Sequence, residues 1–196
     1  MHKQLRLFLV VDGIYALAFG MLGPIYAVFV QQIGGDILEA GTAWAIFMIS
    51  SGIGIFLMGK LQDRISKDKL FLVAGYAMRS LGFLGYYFVS NVTRMFVLQV
   101  FLGLAVMVIS PATYSFYAKH VDTKKLASQW AAWEGTWYLV QGIAALIGSF
   151  LASLYGFKTL FLVMFIASLF SLAIATQLKE EPKNLQVKKK TIKNEN

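Results

Sequence analysis

Long apolar runs, separated only by short charged turns, are the feature that most constrains this chain. Six runs can be drawn, at about 5–30, 40–58, 70–89, 95–118, 126–155 and 160–178. Each carries about 20 or more residues with at most two charges, the length needed to cross the hydrocarbon slab. A soluble domain of 196 residues could not hide them. With 58% apolar and 14% charged residues, there is too little polar surface to cover such a core. The reading is an all-α membrane protein of six transmembrane helices, residues 1–178. A basic cytoplasmic tail at 179–196 is expected to be disordered. The first run is too long for a signal peptide, and no small-residue cleavage site follows it.

Placement of Lys and Arg orients the spans. Of the 18 such residues, 15 fall at the two termini or in the turns near 60–69 and 119–125, all on one side. Arg94 and Lys158 lie on the other side, and Arg79 lies within a span. Both termini are therefore expected in the cytoplasm, in a multi-pass protein of the plasma membrane. The net charge of +8 orients the chain against an anionic inner leaflet and does not call for nucleic acid. There is no cysteine and only two histidines, so no metal site or cofactor is expected. No nucleophile elbow or phosphate loop is present either, and the chain does not read as an enzyme.

The six spans divide into two sets of three. The first helix of each set has a proline in its last third, Pro24 and Pro111. The second has an Ala-Trp pair, Ala43-Trp44 and Ala132-Trp133. Three-span units run through a membrane in opposite senses, so the pattern is an inverted 3+3 repeat, as transporters use.

Between the second and third runs lies Gly59-Lys-Leu-Gln-Asp63-Arg64-Ile-Ser66-Lys67, read as a tight charged loop. It resembles the G-x-L-x-D-R-x-G-R-K signature of the major facilitator superfamily, with Ser66 in place of the second glycine. Gly59, Asp63, Arg64 and Lys67 match. Gln99 and Gly103 stand where that family often has R-x-x-x-G. Gly142, Gly148 and the stretch Gly156-Phe157 to Phe161 are similar to its glycine-rich fifth helix and following turn. The resemblance covers 5–178 and implies one half of a twelve-helix transporter fold. It further implies secondary active transport of a small solute by alternating access, with two chains meeting as a homodimer. Because the motif arginine is Gln99 here, proton coupling does not carry over from that position. The alternative is a non-transporting membrane subunit that docks on a larger partner. A wet cavity around the intramembrane charges would favour the first reading, and a buried ion pair the second.

Three charges sit inside spans: Asp12, Arg79 and Glu134. Each costs about 2.5–3.5 kcal/mol even on lenient insertion scales, so each needs a partner or a wet cavity. At about 1.5 Å per residue all three lie roughly 10–14 Å from the cytoplasmic end. Arg79 is therefore expected to pair with Asp12 or Glu134, Glu134 being favoured. Glu134 is the candidate for proton coupling, in competition with that pairing. Tyr15, Trp137 and Gln141, on helical faces shared with Asp12 or Glu134, and Gln99 and Tyr114 of the fourth run complete the candidate substrate site. The glycines at 52, 59, 142 and 148, and those at 82 and 85, have the plainer reading of close helix packing.

Overall fold

The computed structural model describes residues 3–180, and every regular element in them is helical. Helix α1 (Lys3–Gly20) ends at a turn holding Pro24, and α2 (Tyr26–Gln32) continues the rod. Then come α3 (Ile37–Ile65), α4 (Asp68–Phe88), α5 (Val92–His120) and α6 (Leu126–Ala175). Polar residues set the boundaries. Asp36 and Glu39 form a reciprocal capping box at the start of α3. Asn91 accepts from the Arg94 N–H at the start of α5. The two prolines behave differently: Pro24 interrupts its helix, whereas α5 runs through Pro111 without a break.

Helix α6 is 50 residues long and breaks at Gly156, where φ is 78°. The break is a reversal. Trp133 Nε1 and Ser171 Oγ donate to Asp12 and to the Val11 carbonyl, neighbours on α1. In a straight helix those two donors would stand roughly 57 Å apart. The expected runs 126–155 and 160–178 are thus the two limbs of α6, and only a residue free of Cβ strain turns the corner readily.

Among the described residues, four helices are long and apolar enough to cross a membrane: Lys3–Gln32, Ile37–Ile65, Val92–His120 and Thr123–Ala175. Helix α4 falls short of that measure because Arg79 and its tyrosines dilute the apolar residues. The expected charged loop at 59–69 is largely helical. Helix α3 extends to Ile65, only Ser66 and Lys67 lie outside a helix, and α4 begins at Asp68. Cationic side chains are welcome in a last helical turn, so the apolar run understated the helix. Ser66 adopts φ 52° as the C-cap, and its hydroxyl donates to the Asp63 carbonyl at 2.8 Å. That left-handed position explains why glycine suits the motif here.

Packing places α1 against α6, α3 against α5, and α4 between α5 and α6. At one end the Lys179 N–H donates to Gln4 and the Lys69 N–H to Glu180. The start of the chain, the α3–α4 turn and residues 179–180 thereby share that end. The remainder of the expected tail, 181–196, lies outside the described residues.

Close approach depends on glycine at two seams. A side chain at Gly148 would meet the Met21 backbone, and one at Gly103 would meet Ser50 and the Phe47 carbonyl. Gly82 and Gly85 likewise meet Leu102 and Leu98. Gly52, Gly59 and Gly142 do not follow the packing expectation. Each faces open space among the described residues, so no described helix explains them.

Candidate functional site

Two cavities open between the helices, and Arg79 lines both. The first, of about 280 Å³, is aromatic: Tyr15 and Phe19 of α1, Trp44 and Phe47 of α3, and Trp137 of α6 contribute rings. Gln99 and Gln141 add amides, and Arg79 is the one formal charge in its lining. The second, of about 350 Å³, is polar and lies toward the end that carries Lys3. Asp12, Arg79 and Glu134 all line it, with Ser110, Tyr114, Trp133 and Trp137. Agreement in depth along three separate helices thus translates into one shared cavity.

Asp12 is 5% exposed and fully engaged. Trp133 Nε1 donates to one oxygen at 2.6 Å, and the Tyr76 hydroxyl donates to the other at 3.1 Å. Such bonds to a carboxylate are the strong kind. They also show why Arg79 does not pair as expected. Among the described residues the one ion pair is Lys119 with Asp68, at 2.5 Å. The Arg79 guanidinium instead lies over the Tyr15 ring, 4.2 Å from its centroid, close enough to feel the charge of Asp12. Its Nε is buried and has no hydrogen-bond partner. Glu134 stays on the exposed rim of the polar cavity.

The remaining candidates separate. Gln99 is 2% exposed, and its amide donates to Tyr26 at 2.7 Å and Tyr86 at 2.9 Å. It locks α2, α4 and α5 together at the far side of the aromatic cavity. Trp137 lines both cavities, its ring 6.2 Å from that of Tyr15. Gln141 reaches only the aromatic cavity and Tyr114 only the polar one.

Sequence reasoning missed the partners more than the positions. Trp133 precedes Glu134, and Tyr76 sits one turn from Arg79. Both were visible as polar-tipped aromatics, yet nothing linear links them to Asp12. Asp68 was missed outright. It is buried at the start of α4 and accepts from Lys119 and from Ser115, at 3.1 Å, on α5. Nearby Gln62 donates to the Val108 carbonyl at 2.6 Å, tying α3 to α5. A further cavity of about 300 Å³ opens there, lined by Gly59, Asp63 and Ser66 of the motif. Of the other motif residues, Arg64 and Lys67 are exposed at the same turn.

The family model of the Major Facilitator Superfamily matches residues 8–194. The chain belongs to this superfamily. It is 29% identical over 142 residues to the uncharacterized MFS-type transporter MJ1560 of Methanocaldococcus jannaschii, covering 72% of this chain and 36% of that protein. It is 26% identical over 133 residues to the proton-coupled antiporter flippase LtaA of Staphylococcus saprophyticus, covering 67% and 32%. The chain thus spans about a third of the length of these two relatives. An auto-inhibited POT family peptide transporter shares the fold, with TM-score 0.73 over 92% of this chain and 40% of that one, at 15% identity. Family membership and the apolar helices make this major facilitator chain an integral membrane protein, in a family of transporters and not of enzymes.

Proposed function

We propose that this chain moves a small solute across the membrane by alternating access, as a homodimer of six-helix halves. In this reading the two limbs of α6 and the less apolar α4 are separate crossings, arranged as the inverted 3+3 repeat of residues 1–178. Both termini then lie in the cytoplasm at the plasma membrane. The observation that carries the reading is the position of Arg79. An intramembrane guanidinium without a carboxylate partner, shared by two cavities, suits a residue that meets a solute from either side. A subunit built only for docking would instead bury such a charge in a pair. Substrate-site candidates are Asp12, Tyr15, Arg79, Gln99, Tyr114, Glu134, Trp137 and Gln141. LtaA is named as proton-coupled, and for this chain Glu134 is the corresponding candidate to exchange a proton.

The dimer is supported by faces that find no partner among the described residues. Gly52 and Gly59 of α3 and Gly142 of α6 look into open space, beside exposed Met48, Phe56, Leu139 and Leu146. A second copy, related by a two-fold axis along the membrane normal, would cover both faces and complete a path between two rocking halves. The motif turn would then bring Asp63 to the start of the partner's α6, where a helix N-terminus favours a carboxylate by about 0.3–1 kcal/mol. The test is a chain with Asp63→Cys and Ala127→Cys, oxidised in nanodiscs and run on a gel. A disulfide-linked dimer, together with solute flux in proteoliposomes, is expected. A strictly monomeric chain that still transports would overturn the dimer.

A further inference from the structure

Resting on the transport reading above, we propose that the aromatic cavity selects a compact organic carboxylate with a flat apolar body, and that Arg79 is its charge partner. Arg79 is the only formal charge among the residues that line this cavity. The Tyr15 ring serves the face of the guanidinium, at 4.2 Å from its centroid. A ring face cannot serve the in-plane N–H groups, and the buried Nε has no acceptor at all.

Neither acid in the neighbourhood supplies one. Both oxygens of Asp12 accept, from Trp133 and from Tyr76, and Glu134 stands out on the rim of the polar cavity. What the guanidinium lacks is a pair of coplanar acceptors carrying negative charge. A carboxylate provides them in the fork geometry that arginine favours. A cation would be repelled there, and a neutral amide would bring the arginine no charge of its own.

The rest of the wall describes the body of the ligand. Phe19, Phe47, Phe83 and Trp137 present ring surfaces, which pack against flat apolar groups with little exposed polarity to satisfy. A volume of about 280 Å³ lies just below the range of roughly 300–1,000 Å³ that holds drug-sized ligands, so the solute is small.

The experiment is calorimetric titration of the full chain in lipid nanodiscs with benzoate, benzamide and benzylamine, which differ chiefly in charge. Benzoate is expected to bind about tenfold or more tightly than benzamide, with benzylamine weakest. Arg79→Gln should erase the preference for benzoate. Arg79→Lys should keep part of it, because a point charge replaces a fork. The wild-type ranking stands even if a variant fails to fold. Equal or better binding of benzamide or benzylamine overturns the proposal. So does a benzoate preference that survives in folded Arg79→Gln, or no detectable binding of any of the three. Flux in proteoliposomes separates this from the transport reading. Binding of benzoate without flux of it would leave the anion site and weaken transport. Flux of only neutral or cationic solutes would do the reverse.

Discussion

The aromatic and polar cavities share Arg79 and Trp137 but treat charge in opposite ways. The polar cavity meets its buried carboxylate with donors: Asp12 holds an indole and a phenol, while Glu134 keeps to the open rim. In the aromatic cavity the donors of Gln99 are spent on Tyr26 and Tyr86, and Arg79 is the one charged group in the lining. Where hydrogen bonds close on themselves a region is structural. Where one strong donor is left over, it can recognise something. By that criterion Asp12, although a site candidate, also belongs to the frame, and the proposal above rests on Arg79.

The largest expected effect comes from breaking the α1–α6 seam next to Leu22, at one end of the aromatic cavity. Gly148→Val drives a branched side chain into the Met21 backbone, which cannot step aside as a flexible side chain could. Thermal unfolding in detergent should show a loss of about 3 kcal/mol or more. Gly142→Val, six residues earlier and facing open space, should stay within about 1 kcal/mol. A similar loss at both positions would mean that the seam is not where the strain lies.

Next in size is Asp12→Ala, which leaves Trp133 and Tyr76 without their acceptor in the polar cavity. About 2–3 kcal/mol of stability should disappear, with a change in tryptophan fluorescence as the Trp133 indole loses its bond. If Asp12→Ala unfolds like the wild type, Asp12 belongs to the site rather than the frame, and the contrast between the cavities fails.

Glu134→Gln should barely move the unfolding temperature, by about 0.5 kcal/mol or less, because the side chain is exposed on the rim. Its effect should appear in function. In proteoliposomes with an imposed pH gradient, accumulation should stop while exchange or downhill flux continues. Accumulation that persists in Glu134→Gln would remove this carboxylate from coupling.

Much of the architecture was legible in the linear chain. Apolar runs announced helices in a membrane. The short gap between the runs 126–155 and 160–178 holds Gly156, where α6 reverses. The common level of Asp12, Arg79 and Glu134 followed from rise per residue alone, and one cavity holds all three. Those are consequences of local propensity and one-dimensional spacing, which a sequence states directly. Partner choice is different, because it depends on the azimuth of each helix, and packing of whole faces decides that. Rotation of α6 brings Trp133, and not Glu134, to Asp12. Rotation of α4 lays Arg79 across Tyr15, where opposite charge had suggested a carboxylate. The same packing set Lys119 and Ser115 on Asp68, and left Gly52, Gly59 and Gly142 without a neighbour among the described residues. The existence and common depth of the helical runs were therefore legible in the sequence, whereas tertiary packing alone decided which polar groups meet.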